Sequence, residues 1–235
     1  MKIWRFLTLP FREVLRGQEL CLRGLPDLGW MALGLLVGWF VYVPLHELLH
    51  AFACLATGGE VTRLEIDHLY GGALWARLFP FVVAGSDYAG RLSGFDTFGN
   101  DAIYLATDLG PFLLTLPGVW ALRRWARQGK GLGFGFTLPF ALAPFLSLNG
   151  DAYEIGSILV TRLAPWSTPV VRELLRGDDV FLVGSLLGEA SAVTVVGFVL
   201  AALLGVLWAF ATYGLAAWLA SRLGQGSLVA AEGEA

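Results

Sequence analysis

The sequence predicts an all-α polytopic membrane protein with about four transmembrane helices and a short β-hairpin or re-entrant element after the first. Two observations lead to this fold class. Hydrophobic residues make up 56% of the 235 residues, charged residues only 15%, and the mean hydropathy is +0.66, which is far more apolar than a soluble domain of this size. In addition, four stretches approach the roughly 20 apolar residues that a helix needs to cross a bilayer.

The charges and cysteines exclude two other classes. The formal net charge is −3 and the charged residues are scattered, so no basic stripe suits a nucleic-acid backbone. Cys21 and Cys54 are the two cysteines, too few for the disulfide framework of a small secreted protein. We therefore expect the lipid bilayer as surroundings and no nucleic-acid partner.

The composition of residues 1–28 predicts an interfacial amphipathic N-terminal segment. They mix Lys and Arg with Trp, Phe and Leu, and they lack an apolar core followed by a small-residue cleavage site, so the segment is expected to stay on the protein and lie at the membrane surface. Residues 29–222 are then a single membrane-embedded domain, and residues 223–235 a flexible C-terminal tail.

Four apolar stretches are the predicted spans: residues 29–56, 103–122, 132–160 and 191–220. The third contains Asn149, Gly150, Asp151 and Glu154, which predicts a broken helix or two short ones. Broken helices at membrane depth usually line a site.

The segment between the first two spans has a different pattern. Residues 60–67 alternate apolar and polar side chains like a strand, and a Gly-Gly pair follows at positions 71 and 72, which predicts the hairpin or re-entrant element. After the second span, Arg123, Arg124, Arg127 and Lys130 form the densest basic cluster. We interpret this cluster as a loop, and the positive-inside rule favours the cytoplasm for it.

The first span carries the side chains that are candidates for metal binding and catalysis. Its only strongly polar side chains before its end are His46, Glu47 and His50. A charge at the bilayer centre costs roughly 2.5 to 3.5 kcal/mol on insertion scales, so this carboxylate needs a compensating partner. Histidines four residues apart face the same side of a helix, and the H-E-x-x-H pattern is typical of zinc hydrolases in which the Glu is the general base. The pattern predicts Zn²⁺ bound by both histidines, with Glu47 activating water.

Catalytic zinc normally has three protein ligands, so a third must come from elsewhere in the chain. Asp108, Asp151 and Glu154 all lie in or beside apolar spans. Asp151 is our choice because the Asn-Gly break before it would let the carboxylate project into the bundle, with Glu154 and Asp108 as alternatives. Asp108 could instead orient a metal-binding histidine through its other ring nitrogen.

Three segments of this sequence resemble those of the site-2 proteases. They are HELLHAFACLATGGEVTRLEIDHLYGG, DLGPFLLTLPG and PFLSLNGDAYEIG, and together the resemblance covers residues 29–160. It implies a zinc metallopeptidase that cuts a transmembrane or juxtamembrane segment of a partner protein or peptide, with Asp151 as third ligand. Two positions depart from the family pattern: Ala152 stands where Gly usually follows the aspartate, and Leu113 and Leu114 stand where an Asn often follows Gly-Pro.

Two alternative functions stay open at the sequence level. A membrane metalloprotease of another kind would use Glu154 or Glu189 as third ligand. A non-catalytic zinc-binding membrane protein would have no need of Glu47 as a base. We also expect residues 60–67 to hold an unwound substrate by edge pairing.

Overall fold

The computed structural model describes residues 3–164, 168–177, 180–186 and 191–229, and this part of the chain is mostly helical. The helices are α1 (Ile3–Cys21), α2 (Leu25–Ala56), α3 (Gly72–Leu78), α4 (Asp101–Leu109), α5 (Thr115–Arg127), α6 (Gly131–Ala141), α7 (Ala143–Leu146), α8 (Asp151–Leu163), α9 (Pro169–Leu175), α10 (Val180–Ser185) and α11 (Ala192–Arg222). The strands are β1 (Glu60–Ile66), β2 (Val82–Ala84) and β3 (Gly90–Asp96).

Three helices are long and apolar enough to cross a membrane. They are α2, α11 and the helical run Asp101–Arg127, in which a 3₁₀ turn connects α4 to α5. The described part of the chain thus has three such helices, which does not confirm the predicted count of about four. The predicted span 132–160 is divided into α6, α7 and α8, because Pro144 cannot continue the hydrogen-bond ladder of α6 and the chain leaves helical geometry at Gly150.

The helices approach one another closely through glycines. A Cβ atom on Gly34 or Gly38 of α2 would overlap the backbone of α6, and a Cβ atom on Gly156 of α8 would overlap that of α11. Small residues permit this approach, which is the usual means of helix association in membranes. These contacts fix α2 and α8, the two helices that carry the candidate ligands.

A three-stranded sheet takes the position of the predicted hairpin. Its order is β2-β1-β3, with β1 parallel to β2 and antiparallel to β3. The chain does not turn directly back after β1, because Gly71 adopts a left-handed conformation and α3 follows it; the crossover through α3 makes β2 parallel. β3 pairs along the whole of β1, whereas β2 pairs only with residues 64–66. Residues 64–66 thus have both edges occupied, and the expected pairing of a substrate with residues 60–67 stays a prediction.

The predicted basic loop is largely helical. Arg123, Arg124 and Arg127 belong to the end of α5, and Arg123 is buried in an ion pair whose Nη2 lies 2.8 Å from Oε1 of Glu13 on α1. The interpretation of these residues as a loop is therefore wrong. The buried pair is electrically neutral, so Arg123 adds no charge to that surface, and the membrane orientation stays a prediction.

The predicted C-terminal tail is in part attached to the helices. Arg123 donates a hydrogen bond to the carbonyl of Gln225, and Ser227 donates one to Glu13. Residues 230–235 of the predicted tail lie outside the described residues. Within the described part, the chain thus returns after α11 to the buried pair between α1 and α5.

Candidate metal centre

His46 and His50 lie one helical turn apart on α2 and are both buried, at 9% and 8% exposure. Their spacing directs both rings to the same side of the helix. The two Nε2 atoms are 3.3 Å apart. This side of α2 faces the start of α8 and Thr107 of α4, which contact the two rings.

Asp151 is the first residue of α8, and its carboxylate lies beside the two histidines. Its Oδ2 lies 3.2 Å from Nε2 of His46, and its Oδ1 lies 3.4 Å from Nε2 of His50. A hydrogen bond to α10 holds the loop before Asp151 in place, because the carbonyl of Asn149 accepts a hydrogen bond from the N–H of Val180. The structure therefore brings together the three residues that the sequence predicts as metal ligands.

Hydrogen bonds on the far side of the rings determine which nitrogen faces the cluster. Nδ1 of His50 lies 2.9 Å from the carbonyl oxygen of Thr107. A carbonyl can only accept, so this nitrogen carries the proton and the Nε2 of the neutral ring presents a lone pair. Nδ1 of His46 lies 3.0 Å from the hydroxyl of Tyr42, which supports the same tautomer when that oxygen accepts.

The cluster is consequently a convergence of electron-pair donors. Two imidazole Nε2 atoms and a carboxylate meet, and Oδ2 of Asp151 is buried with no hydrogen-bond partner in the described part of the chain. Protonating both rings would put two positive charges 3.3 Å apart. A bound cation satisfies all three groups at once, because buried charges and lone pairs require a partner.

The spacing of the donor atoms fits a small tetrahedral ion. Zinc ligands at about 2.0–2.1 Å from a tetrahedral centre lie about 3.3 Å from one another. The two Nε2 atoms are 3.3 Å apart, which matches this separation. Each ring lies near a different oxygen of Asp151, with Oδ2 at 3.2 Å from His46 and Oδ1 at 3.4 Å from His50. His46, His50 and Asp151 can thus hold a metal ion.

Glu47 is next to this group without belonging to it. Its side chain is half-buried and packs against Gly90, the first residue of β3. A Cβ atom at Gly90 would overlap Cγ of Glu47 and lie 2.9 Å from its Cδ. The carboxylate interacts electrostatically with His46, His50 and Asp151, so it can receive a proton beside the metal position.

The alternative ligands lie elsewhere. Glu154 is almost one turn further along α8, and neither it nor the buried Asp108 of α4 belongs to the cluster. Glu189 lies outside the described residues. The expected role of Asp108 in orienting a histidine is wrong, because the far nitrogens of the two rings face Tyr42 and the backbone of Thr107.

Sequence reasoning missed three contributors to the site. Tyr42 precedes His46 by four residues, and this spacing on a helix is a signal that could have identified it. Thr107 contributes a backbone carbonyl, which no side-chain pattern reveals. Gly90 lies 43 residues after Glu47, and only the three-dimensional path of the chain brings it there.

The fold and the cluster together define a class: a helical protein with membrane-type helices and a buried candidate metal centre. Comparison of the chain with protein-family models, curated proteins and solved structures found no match.

Proposed function

We propose that the protein is an intramembrane zinc metallopeptidase of the site-2 protease type, which hydrolyses peptide bonds in or next to transmembrane segments of partner proteins. The observation that carries this proposal is the convergence of two imidazole Nε2 atoms and the Asp151 carboxylate, with Glu47 beside it. A site that only stored metal would not need this additional carboxylate. The three membrane-type helices support a multi-pass protein with lipid as surroundings.

Zinc is the metal that this ligand set favours. Two imidazoles and one carboxylate are typical ligands of catalytic zinc, and the separation of 3.3 Å between the two Nε2 atoms suits a zinc ion. Purely oxygen-ligated ions such as Mg²⁺ and Ca²⁺ prefer carboxylates, carbonyls and water, in larger numbers than this site supplies.

When bound, zinc supplies a Lewis acid that polarises the scissile carbonyl and makes water acidic enough to attack at neutral pH. The chain's own residues do the rest. Glu47 accepts the proton of the attacking water and delivers it to the leaving amine. Thr107 and Tyr42 hold the two rings in orientation, so that neither must rotate during the reaction.

The free edge of β3 supports a proposal for how the substrate binds next to Glu47. A peptide in a helix hides its carbonyls in hydrogen bonds, so the scissile segment must be extended before attack. The edge of β3 that does not pair with β1 begins at Gly90, in contact with Glu47. We expect an extended substrate to pair with this edge as an additional strand, since such pairing uses main-chain hydrogen bonds and does not depend on the substrate's side chains.

The resemblance to site-2 proteases agrees with these contacts. Gly110, in the Gly-Pro segment, packs against the backbone of α2 at Leu49, beside His50. Ala152, which replaces the usual Gly, is fully buried where Gly205 of α11 approaches α8. An alanine is accommodated there because the glycine is on the opposite helix.

The first experiment measures metal content and cleavage of a model transmembrane substrate by the purified protein. Wild type is expected to bind one zinc and to cleave. Glu47→Gln should retain zinc and lose cleavage, and Asp151→Ala should lose zinc. Glu154→Gln is the matched control, because Glu154 is the other carboxylate at the start of α8, and it should retain both properties.

Two other functions make different predictions in the same experiment. A membrane metalloprotease with a glutamate ligand would lose zinc in Glu154→Gln and retain it in Asp151→Ala. A non-catalytic zinc-binding protein would bind zinc without cleavage, and Glu47→Gln would change nothing. Either result would overturn the proposal.

A further inference from the structure

We propose that a groove between α2, α5 and α6 binds one molecule of phosphatidylethanolamine, at a site separate from the metal centre. The groove has a volume of about 930 Å³. Its α2 wall extends from Asp27 to Val37, which is roughly 15 Å along the helix axis. The groove is therefore long enough to hold a lipid headgroup at one end and part of an acyl chain along its length.

The two ends of the groove differ in polarity. Asp27, Gly129 and Lys130 line the end at the start of α2, whereas Leu33 and Val37 line the wall further along this helix. Leu33 and Val37 are 43% and 45% exposed. A phospholipid has the same division into a polar headgroup and apolar chains, so one molecule can satisfy both ends.

The polar end carries two opposite charges that do not pair with each other. Asp27 and Lys130 are the charged residues among the described residues of the lining. Asp27 accepts a hydrogen bond from the N–H of Arg23, and Nζ of Lys130 lies 5.1 Å from the centroid of the Trp125 ring. Within the part of the chain that the structure describes, neither side chain has an ion-pair partner. A zwitterionic headgroup supplies a partner for each, with its phosphate at Lys130 and its ammonium at Asp27.

The fold brings these two residues side by side although they are far apart in sequence. Gly131 follows Lys130, and a Cβ atom on Gly131 would lie 3.2 Å from the carbonyl oxygen of Asp27 and 3.7 Å from the Cβ atom of Met31. The chain at Lys130 thus packs against the first turns of α2. Both side chains can consequently contact the same headgroup.

The carboxylate of Asp27 determines which zwitterionic lipid fits best. The ethanolamine headgroup ends in a primary ammonium, which has three N–H donors as the lysine side chain has. The choline headgroup has a cation without any N–H donor, and the glycerol headgroup has no cation. Only the ethanolamine headgroup therefore offers Asp27 a charge-assisted hydrogen bond.

The level of the groove along the helices agrees with a headgroup position. Trp30 is 56% exposed one turn after Asp27, and Trp125 and Lys130 lie at the same end. Tryptophan and lysine at the ends of apolar helices are typical of the membrane–water interface. Asp27 and His46 are 19 residues apart on α2, which puts the polar end roughly 28 Å from the metal centre.

The test titrates the purified full chain with dioleoyl phosphatidylethanolamine, phosphatidylcholine or phosphatidylglycerol and counts bound lipids by native mass spectrometry. Wild type is expected to retain one phosphatidylethanolamine. It should bind this lipid about five-fold more tightly than phosphatidylcholine, since an ion pair at a partly exposed site contributes up to about that factor.

Two variants assign the charges of the headgroup separately. Asp27→Asn should reduce the preference for phosphatidylethanolamine over phosphatidylcholine to within two-fold, because the ammonium loses its charged partner. Lys130→Gln should weaken both lipids alike by about five-fold, since a cation near a lipid phosphate contributes about that factor. The preference between the two lipids should persist in Lys130→Gln.

Three further variants separate the groove from general surface charge. Arg124→Gln is the control for Lys130, because Arg124 is exposed, lies over the ring of Trp120 and does not line the groove. Asp87→Asn is the control for Asp27, because Asp87 is an exposed carboxylate outside the groove. Both should bind lipid within two-fold of wild type. Leu33→Trp retains both charges and fills the apolar part, so it should lose the lipid. Equal elution volumes in gel filtration establish that the variants are folded.

Several results would overturn the proposal. Arg23 reaches the rim, since its Nη2 would lie 2.7 Å from a Cβ atom on Gly129. Tighter binding of phosphatidylglycerol, lost in Arg23→Gln, would therefore indicate a site for anionic lipids. Tighter binding of phosphatidylcholine would indicate recognition of choline by the ring of Trp30. Lipid retention by Leu33→Trp would show that the groove is not used, and a dimer without lipid would indicate a second copy as occupant.

Discussion

The three residues that could hold a metal ion depend on neighbours outside their own group. The ring of His50 is fixed by the carbonyl of Thr107, and the ring of His46 by the hydroxyl of Tyr42. Such partners fix the tautomer and raise the basicity of a ligand, and their loss typically weakens metal binding 10-fold to 100-fold.

We predict that Tyr42→Phe weakens zinc binding at least about 10-fold, because His46 loses the partner of its Nδ1 and its ring becomes free to rotate. Competition with a chromophoric chelator measures the affinity. Tyr88→Phe is the control, since Tyr88 is 62% exposed and outside the cluster. Equal affinities for wild type and Tyr42→Phe would remove Tyr42 from the site.

Gly90→Ala is predicted to separate metal binding from hydrolysis. The new methyl group would overlap Cγ of Glu47 and displace the carboxylate, and displacement of a catalytic group by about 1 Å can reduce a rate about 100-fold. Zinc content should stay at one per chain. Gly29→Ala, where nothing lies within 4 Å of the new atom, is the control, and normal cleavage by Gly90→Ala would contradict the assigned position of Glu47.

The three residues of the candidate metal centre were predictable from sequence because each has a local signal. His46 and His50 share a helical face within an apolar span, and Asp151 follows an Asn-Gly break. Thr107 has no such signal, since its contribution is a backbone carbonyl 57 residues from the ring it contacts. The burial of Arg123 could not be predicted from its local sequence either, because its partner Glu13 lies 110 residues away.

At the scale of elements, the packing of α8 on α11 determines where Asp151 lies. Gly156 approaches the backbone of Ala201, and Gly205 approaches that of Ala152. The contact between the two helices is thus made almost backbone to backbone. Asp151 is at the start of α8, so any separation of the helices would move the carboxylate relative to α2.

Gly156→Leu should therefore destabilise the protein by about 1–3 kcal/mol through overpacking and should also weaken zinc binding. Thermal unfolding in detergent and zinc titration measure the two effects. Gly29→Leu adds the same side chain at a position with nothing within 4 Å and should change neither. Destabilisation without any loss of zinc affinity would show that α8 can shift without moving Asp151.

The small sheet shows why strands were harder to predict than helices. The alternation in β1 was readable, and that strand exists. β2 has only three residues, and β3 reads GRLSGFD, with two glycines and several polar residues that give no strand signal. These strands form because β1 offers two hydrogen-bonding edges, which is information that their own sequences do not contain.

At the scale of the whole molecule, one buried ion pair connects distant parts of the chain. Glu13 of α1 and Arg123 of α5 contact each other, Tyr213 of α11 donates a hydrogen bond to Glu13, and Gln225 and Ser227 complete the network. Removing one member of such a pair leaves an uncompensated buried charge, which is far more destabilising than removing an exposed pair.

Glu13→Ala is accordingly predicted to lower the free energy of unfolding by about 3–5 kcal/mol. Glu19→Ala, which removes a 64% exposed partner of Arg16, should lower it by about 1 kcal/mol or less. Both values come from denaturant unfolding in detergent. If the double variant Glu13→Leu, Arg123→Leu were as unstable as Glu13→Ala, packing would be the dominant contribution and not the charge.

The distance along the chain between the two halves of the metal centre has a consequence for biosynthesis. About 100 residues separate His50 from Asp151. Ribosomes add about 5–20 residues per second, so about 5 to 20 s pass between the synthesis of the second ligand and that of the third. Until then α2 carries two histidines with no carboxylate to complete the set. The group of three residues that could hold a metal ion is therefore complete only after the first residue of α8 has been made.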